Sequence, residues 1–502
     1  MLKAIDTVKL IFGLKVQQLR KERQLSYQQL SEKTKLAISY LHNIEKGKKY
    51  PKADKIMALA DALDSDYNYL VSLQADKKLQ PIIDLLHSDF LKVFPLELFG
   101  INTPKLIELL SQAPSNVNAF ISTVIKITRN FNMQGEDFYK AALRSYQDLH
   151  DNYFEDIEKA VNQLRDEQDI STKRALSSQE LEKILLKKYQ IHVNRSYLET
   201  QKTLKEVRSF FAKSQKTLYI NKEFSIAQEN FLLAKELGFQ VLKLKDRPYE
   251  TRMTEVDSFD KLLNNFKASY FAVAFLMNED FVIEEVENMA QWKQWDNDAF
   301  LALLDRYQVT PEMLLQRLAN ILPRHFGIKD IFFLRFYTNP AIKKFIMTKE
   351  MHLSQLHDPH ANQLDEHYCR RWISISLIRK LRAMQSIEEE HIEPIVDAQI
   401  SNYTGTSNSY FAIAIAKTSR TSIEESVSVT IGLLINNKLK KLFRFLENNK
   451  LVVREVNTTC ERCPISDCGA RAIEPVFLQR KKKREYIKSA LKDLKKNTAY
   501  SK

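Results

Sequence analysis

The stretch that decides the fold of the N-terminal part is "LSYQQLSEKTKLAISYLHNIEKGKKYPKADKIMALADAL", residues 25–63. Its pattern predicts three consecutive short helices, and a further amphipathic helix follows Pro51. Four apolar residues are spaced so that they face one small core: Leu30, Leu36, Leu41 and Ile44. The segment therefore predicts a small helical domain at this end of the chain.

The second half of this stretch carries the pattern S-x-x-x-x-I-E-x-G-K-x-x-P, from Ser39 to Pro51. It resembles the helix-turn-helix of the phage-repressor-like (XRE) family, which implies a DNA-binding domain over residues 1–75. Lys35 departs from that pattern, because the family commonly has glycine in the turn. The turn must therefore tolerate a left-handed or strained residue at Lys35.

By this resemblance the recognition helix begins near Ala37 and enters the major groove of DNA. Candidates for contacts to bases are Ile38, Ser39, Tyr40, His42 and Asn43. An asparagine can bond to an adenine edge through two hydrogen bonds, and an exposed Ile38 can contact a thymine methyl group. Candidates for phosphate contacts are Tyr27, Gln28, Lys46, Lys48 and Lys49. Such modules also serve as protein–protein adaptors, but the crowding of lysines favours DNA.

Composition describes a multidomain protein that is mainly α-helical with an α/β C-terminal part. The 502 residues are 44% hydrophobic and include only 9 glycines, and segments rich in Leu, Lys and Glu dominate. No apolar run approaches the about 20 residues that cross a bilayer, and we see no signal-peptide cleavage site. We therefore expect a cytoplasmic protein without a membrane partner.

The positive charge is concentrated at the two ends of the chain. Residues 1–75 carry 13 Lys/Arg against 8 Asp/Glu, and residues 480–502 carry 10 against 2, within a net charge of +13 at pH 7. Basic ends on a neutral body are typical of a polyanion-binding protein with a separate regulatory part.

The middle of the chain predicts a helical connector over residues 76–150 and a further domain over residues 151–325. Two amphipathic helices, in "NKEFSIAQENFLLAKELGFQVLKLK" and "NNFKASYFAVAFLMNEDF", resemble the ImmA/IrrE-type metallopeptidase-like domain. In that family H-E-x-x-H binds zinc and supplies a general base. Here the aligned residues run from Lys235 through Glu236 to Phe239, so both metal ligands are missing. The resemblance therefore implies a degenerate domain with no catalytic residues.

Residues 326–478 predict a mixed α/β sensor domain. Five segments carry its strand signals: "KDIFFLRFYT", "WISISLIRKL", "SYFAIAIAKTS", "SVSVTIGLLI" and "KLVVREV". Several of them alternate apolar with polar or small residues, as strands with one buried face do.

Three of the four cysteines stand in "NTTCERCPISDCGARAIEP", at Cys460, Cys463 and Cys468, and the fourth is Cys369 in "DEHYCRRW". So few cysteines exclude a disulfide scaffold. A set of four thiolates suits a [4Fe-4S] cluster or a structural zinc ion, and the fold must then bring Cys369 to the others. Rival fourth ligands are His352, His357, His360 and His367.

The domain order and the C-terminal pattern C-x-R-x-x-x-x-D-C-x-x-R-A-x-x-P, from Cys460 to Pro475, resemble the short-chain fatty acyl regulator family. This resemblance implies a transcription factor that binds an acyl-CoA-type metabolite. Some members of that family resemble iron-sulfur proteins, which favours the cluster over zinc. The sequence does not identify the ligand-binding residues.

The segment 479–502 predicts a basic tail whose Ile487, Leu491 and Leu494 lie on one helical face, ready to pack on the body or on a partner chain. We therefore expect a homodimeric transcriptional regulator that binds double-stranded operator DNA. Alternatives are a phage-immunity or toxin–antitoxin repressor with a structural zinc site, and a metallopeptidase fused to a repressor module.

Overall fold

The computed structural model describes residues 4–72, 135–170, 175–204, 207–251, 256, 258–339, 344–353, 366–388, 393–418, 425–448 and 450–499. The chain divides into two compact units, residues 1–146 with 255–262 and residues 147–254 with 263–502. Among the helices in these described ranges, none combines the length and the apolar character that crossing a membrane requires.

The first unit begins with five helices: α1 (Ala4–Glu22), α2 (Tyr27–Thr34), α3 (Ile38–Glu45), α4 (Ala53–Ala62) and α5 (Tyr67–Val71). The predicted core is confirmed, since Leu30, Leu41 and Ile44 are fully buried together and Leu36 packs against them half-buried. The predicted connector over residues 76–150 lies outside the described residues up to residue 134. Helix α6 (Gly135–Leu149) follows.

Helices dominate the first part of the second unit. Its elements are α7 (Glu155–Glu167), α8 (Ser178–Tyr189), β1 (His192–Asn194), α9 (Tyr197–Thr200), β2 (Ser209–Ala212), β3 (Thr217–Ile220), α10 (Ile226–Val241), α11 (Phe259–Leu276), α12 (Glu279–Ala290), α13 (Asn297–Tyr307) and α14 (Pro311–His325). The three short strands form a sheet in the order β1-β3-β2, with β1 parallel and β2 antiparallel to β3. The two amphipathic helices predicted for this region are α10 and α11.

A buried ion pair links three of these helices. Arg317 on α14 donates two hydrogen bonds to Glu158 on α7, at 2.5 and 2.9 Å, and Tyr270 on α11 donates to the same carboxylate at 2.7 Å. Arg317 and Glu158 are at most 1% exposed. Because each charge is buried, the pair must stay together for the helices to pack.

A six-stranded sheet forms the C-terminal part, in the order β5-β4-β8-β7-β6-β9. Its elements are β4 (Ile331–Thr338), β5 (Ile346–His352), α15 (Ile373–Glu388), β6 (Ile395–Tyr403), β7 (Ser409–Thr418), β8 (Ser426–Leu434), α16 (Asn437–Leu442), β9 (Val452–Val456) and α17 (Val476–Ala499). Neighbouring strands are antiparallel except β6 and β9, which are parallel. The predicted mainly helical fold with an α/β C-terminal part is thereby confirmed.

One strand prediction was wrong, because "WISISLIRKL" forms the start of helix α15. Ile373, Ile375 and Leu377 alternate as in a strand, but the buried residues Leu377, Ile378 and Leu381 also recur at helical spacing. The alanines of β7 leave room for the helix to lie on the sheet, where both form one core. Packing against the sheet therefore decided between two periodicities that the sequence carries together.

Candidate functional site

Local hydrogen bonds and backbone geometry define where α2 begins and where the turn to α3 follows. Ser26 caps α2 through a capping box in which Gln29 donates its backbone N–H to the Ser26 hydroxyl at 3.1 Å and accepts from the Ser26 N–H at 2.8 Å. Lys35 ends α2 in the left-handed conformation, with φ at 56° and ψ at 26°. Lys35 therefore adopts the left-handed conformation that was expected at this turn position, where the family commonly has glycine.

Helix α3 turns one face to solvent. Ile38 is 48% exposed, Ser39 and His42 are exposed, and Tyr40 and Asn43 are half-buried. The predicted phosphate-contacting residues Gln28, Lys46, Lys48 and Lys49 are all exposed. This exposed apolar and polar face with cationic residues beyond its C-terminal end can contact base edges and phosphates together.

The opposite face of α3 is fixed by a buried ion pair. Arg20 on α1 donates to both carboxylate oxygens of Glu45, at 2.6 and 2.9 Å. The hydrogen bond to Glu45 raises the pKa of Arg20, and burial acts in the opposite direction. Because Glu45 closes α3, this pair fixes the helix that carries the candidate base contacts.

Tyr27 takes part in the same cluster. Its hydroxyl donates to Glu45 at 2.7 Å, and the Arg20 guanidinium lies 4.1 Å from the ring centroid. Burial and the bond to Glu45 raise the pKa of Tyr27 to about 12. The half-buried Tyr27 thus has a structural partner, so a phosphate contact through its hydroxyl stays a prediction that requires this bond to be shared or broken.

The cysteine loop, residues 460–471, is joined to the segment that carries Cys369. Tyr368 and Thr459 form an isolated antiparallel bridge. Cys369 donates its backbone N–H to Thr458 at 3.1 Å, and Cys460 donates to His367 at 2.8 Å. The structure therefore brings the distant Cys369 beside Cys460, as a four-cysteine set requires.

The thiols are mostly withdrawn from water. Cys369, Cys460 and Cys463 are 4 to 5% exposed, and Cys468 is half-buried. Burial, with smaller contributions from the neighbouring Cys463 and Cys460, raises the pKa of Cys369 to about 11. Burial also raises the pKa of Cys463, with contributions from Cys468 and Cys460. Cys460 and Cys463 thus lie within electrostatic range of Cys369, and Cys468 lies within range of Cys463.

Polar contacts order the backbone around these thiols. Ala472 donates its N–H to the Cys460 sulfur at 3.4 Å, and the Arg471 guanidinium donates to the Cys460 carbonyl at 3.1 Å. Arg462 donates two hydrogen bonds to Glu366, at 2.8 and 2.6 Å. An N–H that donates to sulfur stabilises a thiolate and tunes any bound iron or zinc.

Two of the rival histidine ligands, His367 and His352, are bonded to carboxylates. The Nδ1 atom of His367 lies 2.8 Å from Glu461, and the backbone N–H of His367 donates to the same carboxylate. His352 is paired with Glu350 at 2.9 Å. His357 and His360 lie outside the described residues.

The four cysteines supply thiol donors that both iron and zinc accept. Over the described part of the chain, no group of three or more His, Cys, Asp or Glu side chains is close enough to hold an ion. Backbone hydrogen bonds join the segments that carry Cys369 and Cys460, and the Cys460 sulfur accepts an N–H.

The degenerate peptidase-like position lies on α10 and is filled by charged and aromatic groups. Arg247 donates two hydrogen bonds to Glu236, at 2.8 and 2.6 Å, and its guanidinium stacks 3.5 Å from the Phe239 ring centroid. Lys235 donates to Asn265 on α11 at 2.7 Å. A guanidinium therefore binds the glutamate that would serve as general base in the H-E-x-x-H pattern.

Sequence reasoning singled out neither Arg247 nor Asn265, nor the acidic partners Glu366 and Glu461 of the cysteine loop. Asn265, Glu366 and Glu461 lie 30 or more residues along the chain from the groups they contact, and Arg247 lies beyond the end of α10. A buried Glu236 without a metal does require a cationic partner, which is the one signal that pointed toward Arg247.

Comparisons with known proteins agree with two of the resemblances. Residues 13–75 match the family described as "Helix-turn-helix domain", and residues 186–319 match the one described as "IrrE N-terminal-like domain". A solved structure of a Mycobacterium tuberculosis transcriptional regulator is similar over 66% of this chain and 92% of its own, with 17% identity and a TM-score of 0.45. A search of curated proteins found no match. The chain thus contains an XRE-type helix-turn-helix domain followed by a region similar to the IrrE N-terminal-like domain.

Proposed function

We propose that the protein is a non-enzymatic, DNA-binding transcriptional regulator that acts in the cytoplasm as a homodimer on a two-fold-related operator. The observation that carries this proposal is the exposed face of α3, with Ile38 48% exposed and Ser39 and His42 open to solvent. On this face an exposed Ile38 can contact a thymine methyl group while its polar neighbours contact base edges.

The rigidity of this face supports the same proposal. Helix α3 is anchored by Arg20 and Tyr27 through Glu45, so its solvent face is held in one orientation before DNA arrives. A preorganised surface loses little conformational entropy on binding.

Selection of binding sites from a pool of random duplexes tests the proposal, followed by comparison of Asn43→Ala with Asn68→Ala. Asn68 is an exposed asparagine on α5 and serves as the matched control. We expect Asn43→Ala to weaken operator binding by about 1–3 kcal/mol, the worth of one bidentate base contact, and to leave nonspecific binding nearly unchanged. Equal losses on operator and random DNA would contradict base recognition by Asn43.

We further propose that the C-terminal part senses an acyl-CoA-type metabolite, as in a short-chain fatty acyl regulator. An open cleft of about 800 Å³ lies between the cysteine loop and the first turns of α17. Its lining includes Arg471 and Lys482, cations that suit the phosphates of coenzyme A, together with Ile465, Ile473 and Leu478. A volume of this order accommodates a ligand of cofactor size.

Titration with acyl-CoA thioesters, followed by operator affinity, tests this sensing role. We expect Lys482→Ala to weaken the response and Lys488→Ala, further along α17, to leave it intact. Thioesters that change neither operator affinity nor melting temperature would remove the metabolite proposal and leave the DNA-binding proposal standing.

We propose that Cys369, Cys460, Cys463 and Cys468 hold a [4Fe-4S] cluster, with structural zinc as the alternative. A bound cluster would supply redox sensitivity, while the four cysteines would tie the cysteine loop to the segment before α15. Anaerobic purification with iron, sulfide and zinc analysis distinguishes the two. Colourless protein that contains one zinc ion would indicate a structural zinc site and contradict the cluster.

The non-enzymatic part of the proposal is supported by the α10 site. Lys235 and Phe239 occupy the positions of the two histidine ligands, and Arg247 engages Glu236 through both carboxylate oxygens. A carboxylate bound in this way cannot activate a water molecule without a metal. Zinc-dependent peptide cleavage by the purified protein would contradict this assignment.

A further inference from the structure

The charged cluster on α10 is buried and carries an unbalanced charge. Lys235, Glu236 and Arg247 are 6%, 2% and 7% exposed. Two cationic side chains and one carboxylate are thus buried together, and the half-buried Glu250 lies nearby. Buried charges are stable only when they are paired, so the excess positive charge needs an explanation.

The hydrogen bonds show which of the two cations lacks a counter-charge. Both oxygens of Glu236 accept from Arg247, and Oε1 also accepts from Gln240 at 2.7 Å. Lys235 instead donates to the neutral amide oxygen of Asn265. The carboxylate is therefore committed to Arg247, and Lys235 is the cation without a direct ionic partner among the described residues.

The ammonium group of Lys235 also has unused hydrogen-bonding capacity. A lysine has three N–H donors, and the bond to Asn265 uses one. The ring centroids of Phe231 and Phe239 lie 6.0 and 5.9 Å from Nζ, at the outer limit of a cation–π contact. Within the described part of the chain, two strong donors on this buried charged group are thus left without an acceptor.

A small cavity adjoins these donors. It measures about 10 Å³, and its polar lining includes Lys235, Asn265, Arg247, Ser209 and Thr251 together with the acidic residues Glu236 and Glu250. A volume of this order holds one species about the size of a water molecule. Phosphate, sulfate and any organic ligand are too large, whereas a monatomic anion fits after a small adjustment of the side chains.

We propose that this cavity, the Lys235 pocket, binds one small monovalent anion such as chloride. The anion accepts the free Lys235 donors and supplies the negative charge that Glu236, held by Arg247, does not provide. The position aligned with a cation site in the H-E-x-x-H pattern thereby becomes an anion site.

The charges around Lys235 couple anion binding to pH. Burial, assisted by the positive charges of Arg247, Lys349 and Arg208 and opposed by Glu236, lowers the pKa of Lys235 to about 7. An anion beside the ammonium favours its charged form and raises this pKa. Anion binding therefore takes up a proton and is stronger at pH values below about 7 than above it.

Thermal unfolding of the full chain tests the proposal, at constant ionic strength in chloride, bromide or gluconate and at about pH 6 and about pH 8.5. Lys235→Met removes the charge and the donors while preserving apolar bulk. Lys222→Met, at an exposed lysine, is the matched control. We expect halides to raise Tm over gluconate, more at the lower pH, in the natural protein and in Lys222→Met but not in Lys235→Met.

Chloride NMR provides a second readout that does not depend on unfolding. We expect the chloride linewidth to broaden with the natural protein at about pH 6 and to narrow when bromide competes for the pocket. Loss of the excess broadening in Lys235→Met supports the proposal. Equal Tm values in chloride and gluconate, or the same halide response in Lys235→Met, would show that the cavity holds only water and overturn it.

Discussion

Tyr368 and Thr459 face each other across an isolated antiparallel bridge, and this single pairing positions Cys369 next to Cys460. Strands β6, β7 and β8 separate the two residues along the chain. The bridge is continued by Arg462 and Glu366, whose two hydrogen bonds hold the same two segments together. The cysteine loop is therefore fixed to the body of the second unit at its N-terminal end.

This relationship predicts that Cys369 is as important as the clustered cysteines. Under the four-thiolate proposal, Cys369→Ser should abolish cluster absorption and reduce bound iron as completely as Cys463→Ser, because each removes one of four ligands. Ser466→Ala, at an exposed position of the same loop, is the control and should retain the iron. Iron content that survives Cys369→Ser would remove Cys369 from the ligand set.

The buried pair behind α3 predicts a stability difference between two arginines of the first unit. Arg20→Ala leaves the Glu45 carboxylate buried with only Tyr27 as a donor, and we expect a cost of about 3–5 kcal/mol. Arg23→Ala breaks an exposed pair with Asp64 and should cost less than about 1 kcal/mol. Hydrogen exchange of the α3 amides measures both effects, and comparable protection in the two variants would refute the anchoring role of Glu45.

The Glu158–Arg317 pair predicts strong coupling in a double-mutant cycle. Arg317→Met alone leaves Glu158 unpaired apart from Tyr270 and should destabilise the second unit by about 3–5 kcal/mol. Glu158→Leu in the same chain should recover most of this loss, because two apolar groups then replace two charges. Unfolding monitored by circular dichroism measures the free energy of unfolding of the natural protein, the two single variants and the double variant. A double variant that loses the sum of the two single losses would exclude a coupled pair.

The lowered pKa of Lys235 predicts that the free energy of unfolding depends on pH. Its pKa falls from the ordinary 10.5 to about 7 in the folded protein, first through burial and then through Arg247. Between these values the unfolded chain binds the extra proton, so the free energy of unfolding rises as pH increases from about 7 to about 10.5. The cost of the buried charge is fully present below about pH 7 and disappears above about 10.5.

The comparison of Lys235→Met with the natural protein, in halide-free buffer, isolates this contribution. We expect the variant to be more stable near pH 7, by up to a few kcal/mol, and the difference to shrink toward pH 10. A difference that stays constant from neutral to alkaline pH would mean that Lys235 keeps its ordinary pKa.

Lys48 predicts an electrostatic contribution without sequence preference. It is exposed beyond the C-terminal end of α3, and its backbone N–H donates to the Asn43 carbonyl at 2.9 Å. Lys48→Ala should weaken binding to operator and random duplexes alike and reduce the dependence of binding on salt by about one counterion. A loss confined to the operator would assign Lys48 to base recognition instead.

Local patterns in the sequence predicted the helix-turn-helix well. Leu30, Leu41 and Ile44 lie in one core, and Lys35 adopts the left-handed conformation that its place in the turn requires. These features follow from side-chain period and backbone sterics over a few residues, so they need no knowledge of distant segments.

Prediction from the sequence failed where a feature depends on contacts outside the local segment. The segment after Trp372 satisfies both strand and helix periods, and only its position against the alanines of β7 makes it a helix. Arg247 was missed because its contact with Glu236 crosses from the end of α10 into the following segment. Similarly, the bond of Tyr27 to Glu45 is not visible in the spacing that predicts a phosphate contact.

The sequence by itself determined the helix-turn-helix and the absence of both histidines from α10, because these are properties of neighbouring residues. Only the tertiary structure decided that Cys369 meets the cysteine loop, that Arg247 neutralises Glu236, and that Lys235 remains a buried cation beside a small cavity. Contacts between distant residues depend on how helices and strands pack, and charge balance inside a protein is set by those contacts rather than by composition.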